Sequence, residues 1–412
     1  MAYATELSEA RIEDASNVLV APSTARDHDM VRDFFGSTIT PEDLASGALD
    51  LTRKTVYVYG DASGISADRL RSAERVFVVR EPSQGNLGDV PAPWPLVGQG
   101  RVPVRVHGAG VYYRRFFDLD ADHFGRIVAE HAFQSLTEST KPGTAHRSGI
   151  YLTPVTRDGD DLRFRLLRCS TNLSGPTESF RATDTDIVDA LNREAATVFR
   201  NQAPLNHVLA QIYRNSLATA ERKQSKARIS AHADKTKDMP ANGIMAFCTF
   251  YDRLDTLRPL AEDPFDHGVK GTSGLTRLHF RLKEQHEERD GAARALPAQF
   301  TVTLYPGSVF FMPLSTNRLY THEIRPSALD ADSLPTRLGY VVRCSNTEAV
   351  HRNGHTFLER AGDLVKLEPP TADGMDALRR LYAEENRTSS FVDYGDRFLF
   401  SMNTGDYRAP RI

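Results

Sequence analysis

Short apolar runs with a period of two dominate the second half of this chain. Alternation of that kind puts successive side chains on opposite faces of a β-strand. It predicts strands at 208–213, 228–232, 243–251, 276–282, 300–305, 309–312, 320–324 and 338–344. Strands in this number, joined by long excursions, imply an antiparallel sandwich or barrel. Upstream, 102–117 alternates as one strand, and further strands are expected at 148–155 and 162–168. Two stretches follow the helical period instead. These are 121–136, and 184–200, where Ile187, Leu191, Ala195 and Val198 form one stripe. A last helix is expected around 375–385.

The first hundred residues follow a different rhythm. Continuous apolar runs at 18–22, 55–60 and 75–80 read as strands, with helices at 27–35 and 66–74. Gly60 and Gly64 belong to neither G-x-G-x-x-G nor a G-K-[ST] loop, so no phosphate cradle is predicted. A Pro/Gly-rich stretch from 82 to 103, containing PAPWP at 91–95, reads as a linker with Trp94 as a packing anchor. The expected organisation is a small α/β accessory unit with its linker (1–100), a strand-rich unit (101–360) and a helical extension (361–412). The long, charged stretch 252–298 is expected to be a lid or an insertion. No internal repeat is present.

A chain of 412 residues with 40% hydrophobic and 25% charged residues can bury a large core as a soluble globular protein. No apolar run approaches the roughly 20 residues a membrane span needs. Residues 1–10 carry acidic groups and no apolar stretch, so they do not read as a signal peptide. Cys169, Cys248 and Cys344 are odd in number and widely spaced, which fits a reducing cytoplasm better than a disulfide framework. Cys248 and Cys344 lie in apolar strands and read as small core residues.

The net charge of −3 gives no general attraction to nucleic acid. One segment departs from it. Arg214, Arg222, Lys223, Lys226, Arg228, Lys235 and Lys237 crowd into 214–237, against Glu221, Asp234 and Asp238. Such a segment is either a solvated mobile loop or an anion-binding lid.

The basic segment runs into His232-Ala-Asp234. Two histidines and a carboxylate are the set that holds non-haem Fe(II) on one face and leaves other positions open. Residues two apart in a strand point to the same side, so His232 and Asp234 are expected to grip one ion. His322 would complete the set. His279 competes for that role, but His322 is preferred because an arginine-bearing strand follows it. Arg337 and Arg343, six positions apart, share one face of that apolar strand. Buried guanidiniums need anionic partners, and a planar fork suits a carboxylate. A 2-oxo acid such as 2-oxoglutarate would present one carboxylate to the metal and another to an arginine. His351 and His355 are expected at the surface.

The order of these elements resembles the AlkB-like branch of the Fe(II)/2-oxoglutarate dioxygenases. LNHVLAQIYRN at 205–215 resembles the strand carrying N-x-Y. ISAHADK at 229–235 resembles H-x-D-K, and GSVFFM at 307–312 followed by RLYTHEI at 318–324 resembles the stretch presenting the distal histidine. RLGYVVR at 337–343 matches R-x5-R. Together these motifs span roughly 103–350.

The resemblance implies an α+β protein: a double-stranded β-helix (jelly-roll) core with flanking helices and the small N-terminal α/β unit. It implies Fe(II) on His232, Asp234 and His322, with O2 and 2-oxoglutarate as co-substrates. Arg337 would hold the distal carboxylate with Tyr213 and Gln211, and Arg343 would lie near the metal-chelating end. Succinate and CO2 would be the co-products. The Asp234 carboxylate argues for hydroxylation over halogenation.

The chain departs from the family pattern in three places. Gln211 replaces the asparagine of N-x-Y. The basic segment lengthens the interval from Tyr213 to His232. Thr236 stands where base-repairing members often carry an acidic residue. The favoured substrate is therefore a small, anionic molecule such as a phosphate-bearing or nucleotide-like metabolite, with Thr236, Lys235 and Arg318 as candidate contacts. The alternative is oxidative dealkylation of bases in DNA or RNA. A non-catalytic jelly-roll binding module is the least favoured reading.

Overall fold

The computed structural model describes residues 9–47, 49–60, 65–80, 94–137, 144–168, 173–221, 223–283 and 296–412. The apolar runs of the first hundred residues form a parallel sheet of five strands. Its spatial order is Ser37–Ile39, Asn17–Val20, Thr55–Tyr59, Arg75–Arg80 and Leu96–Gly98. The runs are apolar throughout because both faces are covered. Val18, Val20, Val56, Val58 and Val78 pack on one side, and Leu19, Tyr57, Tyr59 and Val79 on the other.

The pattern missed the two outer strands, which are only three residues long and partly exposed. One of them corrects the linker. Residues 81–93 lie outside the described set, but Leu96–Gly98 belongs to the sheet and Trp94 packs on its valine layer.

Two antiparallel sheets build the strand-rich part. The large one has eight strands, ordered Val104–Val106, Gly110–Tyr113, Ser308–Pro313, Ile244–Asp252, Thr336–Arg343, His207–Tyr213, Thr144–Leu152 and Gln134–Thr137. The small one has four, ordered Ile229–His232, Tyr320–Arg325, Arg277–Leu282 and Gln299–Thr303. Alternation divides the large sheet by residue number. Val208, Ala210, Ile212, Ala246, Leu338, Tyr340 and Val342 pack against Ile187, Leu191, Ala195 and Val198 of the Ala182–Val198 helix. On the other face, Met245, Phe247, Phe310 and Met312 join Leu278, Phe280, Tyr320 and Ile324 of the small sheet in one core.

Several expectations are corrected. The single strand at 102–117 is a hairpin, turned where His107 and Gly108 take positive φ of 51° and 71°. The helix expected over 121–136 stops at Glu130, and Gln134–Thr137 becomes an edge strand. Residues 252–298 hold a three-stranded sheet (Arg258–Pro259, His267–Val269, Thr272–Ser273), and residues 284–295 fall outside the described set.

A further sheet, Thr156–Asp158, Asp161–Leu166, Thr347–Arg352, His355–Arg360 and Asp363–Lys366, was only partly visible in the pattern and crosses the boundary expected at 360. It buries His351, expected at the surface, whose Nδ1 meets Thr356 Oγ1 at 3.1 Å. Cys248 and Cys344 are free and buried, and Cys169 lies outside the described residues. Among the described residues no helix is long and apolar enough to cross a membrane.

His131 ends the shortened helix for a physical reason. Its Nδ1 lies 3.1 Å from Glu178 and its Nε2 2.7 Å from Asp184, both buried. Burial opposes the imidazolium charge, but the hydrogen bonds to Asp184 and Glu178 outweigh it and raise the pKa to about 9. A folded-state pKa above the ordinary value of about 6.5 stabilises the protein fully below pH 6.5, and that contribution is lost as pH rises through 9. Thermal unfolding of wild type and His131→Gln across pH 6 to 10 should therefore give curves that converge as pH rises. Parallel curves would remove this role.

Candidate active site

The strand register explains how residues ninety positions apart meet. Ile229–His232 pairs with Tyr320–Arg325, and His232 stands directly opposite His322. Their ring centroids are 4.5 Å apart. One strand further on, Phe280 is the partner of His322, so His279 points to the other face, where its Nδ1 meets Thr301 Oγ1 at 2.8 Å. Alternation thus excludes His279 from the cluster.

Asp234 arrives by another route. The strand ends at His232, so strand geometry does not carry the H-x-D pair, contrary to the reading from spacing. The chain turns there, and Asn317 holds it reciprocally. Asp234 N donates to Asn317 Oδ1 at 2.9 Å, and Asn317 Nδ2 donates to Asp234 O at 2.9 Å. One potential ligand atom from each of His232, Asp234 and His322 then lies within 4.8 Å of the others.

The electrostatics suit a cation. Burial alone would raise the Asp234 pKa, but Arg343 above all, with His232 and His322, holds the carboxyl well below the usual carboxylate range. Arg343 Nη2 and Nε approach the same oxygen, Oδ2, at 2.7 and 3.1 Å. Oδ1 is left facing His232 Nε2 at 3.6 Å. Burial pushes His322 down to about 3, with His232 acting in the same direction, so its ring is neutral near pH 7. Its Nδ1 is buried with no hydrogen-bond partner among the described residues. His232 Nδ1 donates to Ser230 O at 2.9 Å, which leaves Nε2 facing the cluster. Two imidazoles and one ionised oxygen are the donor set of a divalent metal.

A second group with suitable residue types, Glu130, His131 and Asp184, is a hydrogen-bonded network in which both ring nitrogens already meet carboxylates.

The cluster opens into a cavity of about 110 Å³ between the two sheets. Register lays out this face of the large sheet in rows. Arg147, Tyr213, Arg337 and Tyr251 form one row, and Gly149, Gln211, Gly339 and Thr249 the next. Tyr151, Leu209, Val341 and Phe247 follow, and then His207, Arg343 and Met245. Gly339 hollows the second row, since a Cβ there would stand 2.8 Å from Arg337 Nη1 and 3.2 Å from Tyr213 Cε2.

The Arg337 guanidinium lies 3.8 Å over the Tyr213 ring, and its Nε and Nη2 are buried without a partner among the described residues. Thr249 Oγ1 is in the same condition. Tyr213 OH donates to Gln211 Oε1 at 2.9 Å. A buried cation with unused donors beside a buried hydroxyl is an incomplete anion site.

Of the three expected substrate contacts, Thr236 and Arg318 do not line the cavity, whereas Lys235 lines it with its ammonium already engaged. Thr236 Oγ1 bonds Glu385, Lys235 Nζ donates to Tyr382 O at 3.0 Å, and Arg318 pairs with Glu9. The reason is the turn after His232, which carries the side chains of residues 235 and 236 toward the C-terminal helix. Spacing also failed to single out Arg147, Thr249 and Asn317.

No known family profile matches this chain, and no curated protein does. Solved structures do match. One is OsALKBH1, at 13% identity over 57% of this chain and 96% of that one, with a TM-score of 0.31. Another is the non-haem α-ketoglutarate-dependent epimerase SnoN from nogalamycin biosynthesis, at 13% identity over 65% and 92%, with a TM-score of 0.31. A third is an oxidoreductase of the 2OG-Fe(II) oxygenase family from Burkholderia pseudomallei, at 8% identity over 47% and 72%, with a TM-score of 0.23.

Proposed function

We propose that the chain is an Fe(II)- and 2-oxoglutarate-dependent dioxygenase that hydroxylates a C–H bond of a small anionic molecule, with succinate and CO2 as co-products. The observation that carries this reading is the coincidence, in one cavity, of the His232, Asp234 and His322 donors with Arg337, whose buried donors lack a partner among the described residues. The large sheet facing the four-stranded sheet across that cavity supports a double-stranded β-helix core.

Bound iron would supply oxygen activation and hold the 2-oxo acid end of the co-substrate. His232, Asp234 and His322 would hold the metal, with Asp234 offering Oδ1 because Arg343 occupies Oδ2. Arg337 would bind the distal carboxylate, kept flat against Tyr213 in the hollow that Gly339 leaves. Thr249 is placed to donate a hydroxyl to the same carboxylate.

Two observations support a small anionic substrate. The described lining sets Arg147, Lys235, Arg337 and Arg343 against Asp234. The basic segment, moreover, turns much of its charge inward. Lys226 Nζ donates to Ser327 O and Leu329 O, Lys235 to Tyr382 O, and Lys237 pairs with Asp238. Amino groups used in this way are not offered to a phosphate backbone.

The test is anaerobic addition of Fe(II) and 2-oxoglutarate, watching for the weak visible charge-transfer band of the chelate. Succinate release is then screened against nucleotides, other small acids and alkylated oligonucleotides. Absence of the band, with metal binding unchanged in His232→Ala, would falsify the reading. Turnover of alkylated oligonucleotides, with steeply salt-dependent binding, would move the substrate to nucleic acid.

Gly339→Ala offers a sharper check. Its methyl crowds Arg337 and Tyr213, and overpacking of this kind costs roughly 1–3 kcal/mol. 2-Oxoglutarate affinity is expected to fall about tenfold or more while metal affinity stays at the wild-type value. Unchanged 2-oxoglutarate affinity would place the co-substrate elsewhere.

A further inference from the structure

We propose that the C-terminal helix, Ala372–Arg387, positions the metal ligands through Asn386 and Glu385, an inference that rests on reading His232, Asp234 and His322 as a metal centre. Beyond His232 the ligand-bearing turn has no strand partner, so its backbone N–H groups need other acceptors. Side chains supply them. Ala233 N donates to Asn386 Oδ1 at 2.7 Å, Asp234 N to Asn317 Oδ1 at 2.9 Å, and Thr236 N to Glu385 Oε1 at 3.1 Å. Two of these three acceptors come from the last turn of a helix some 150 residues further along the chain.

The end of that helix is itself held in place. Lys283 Nζ donates to Asn317 O at 3.2 Å, to Glu385 O at 2.7 Å and to Thr388 O at 3.1 Å. One buried ammonium therefore ties together the two elements that hold the turn. Tyr394 OH donates to Glu385 Oε2 at 2.5 Å, which fixes the carboxylate from its other side.

Other contacts hold the C-terminal segment as well. An apolar cluster of Leu378, Tyr382, Val392, Tyr394, Phe398 and Phe400 packs the C-terminal segment together. Arg168, paired with Asp238, also donates to Phe398 O at 2.6 Å. The polar groups at the helix end are concentrated on the turn that carries Asp234, where a shift of about 0.5 Å degrades a metal site. Partners behind the ligands typically alter metal affinity by about 10–100-fold.

The experiment uses the full chain with Co(II), whose visible absorption reports ligand geometry as well as affinity. Asn386→Leu removes the acceptor for Ala233 N–H. It is expected to weaken Co(II) binding roughly 10–100-fold and to change the absorption spectrum, with the thermal midpoint close to wild type. Asn386→Asp keeps an acceptor oxygen and is expected to restore both affinity and spectrum. Tyr382→Phe cuts a helix-to-core bond to Arg168 O but keeps the ring and backbone oxygen that Lys235 meets, and is expected to leave both unchanged.

Wild-type affinity and spectrum in Asn386→Leu would overturn the proposal, as would equal weakening by Tyr382→Phe, which would make the effect one of general docking. If leucine prevents folding, Asn386→Ala gives the same comparison. A wild-type protein that binds no Co(II), or a His232→Ala variant that binds it normally, would overturn the metal-centre reading itself.

Discussion

Asp234→Ala is expected to abolish metal binding and to destabilise the fold, whereas His232→Ala abolishes metal binding alone. The difference follows from Arg343. Its guanidinium is buried and spends two donors on Asp234 Oδ2. Removing one partner of a buried pair costs about 3–5 kcal/mol, because the other charge is left uncompensated. His232 makes no such bond, and its ring is partly open to solvent. Both variants lose a proposed direct ligand, so the loss of affinity should exceed the roughly 10–100-fold expected for residues behind the ligands. Metal content of the purified variants and their thermal midpoints decide the matter. An Asp234→Ala protein as stable as His232→Ala would mean that Arg343 finds another partner and that the carboxylate is no hinge of the site.

Arg337→Leu is expected to do the reverse: raise the dissociation constant for 2-oxoglutarate about 100-fold and leave the protein as stable as wild type or more so. A hydrogen bond to a charged group contributes about 1.5–3 kcal/mol, and about 1.4 kcal/mol corresponds to a factor of ten. The Arg337 Nε and Nη2 are buried without a partner among the described residues, so replacing the side chain by an apolar one relieves a desolvation penalty. Calorimetric titration of 2-oxoglutarate into the metal-loaded variant, beside a melting curve, tests both halves. A destabilised variant that still binds 2-oxoglutarate would make Arg337 a structural residue.

How far the sequence foretold this site can be judged residue by residue. Arg337 and Arg343 were legible because charge inside an apolar strand is anomalous, and the strand Thr336–Arg343 supplied the period-two frame in which both face one way. His322 was legible through the arginine-bearing strand that follows it, and the pairing with Phe280 separates it from His279. The H-x-D pair was found for a reason that does not hold. Spacing suggested a continuous strand, but the strand ends between the two residues and a helix-capped turn brings them together.

Asn317, Glu385 and Asn386 were invisible for the converse reason. They are ordinary polar residues on helices, and only the tertiary fold brings them to the turn. Thr236 and Arg318 lie near the cluster in sequence but not in the cavity, because nearness is a poor guide once the chain leaves a strand. The missed outer strands of the parallel sheet fail on length, because three half-exposed residues leave no periodicity to read.

The division of the large sheet by residue number has a consequence for how such a protein can diversify. Positions 209, 247 and 341 look into the cavity, while 208, 210, 212, 246, 338, 340 and 342 look toward the helix. Changes at the first set can retune what the pocket accepts while leaving the helix-facing packing untouched, although Phe247 also belongs to the core shared with the small sheet. Inheritance can therefore explore new ligands on one side of the sheet while the other side is held constant, and a library randomised only at those odd positions would sample that freedom directly.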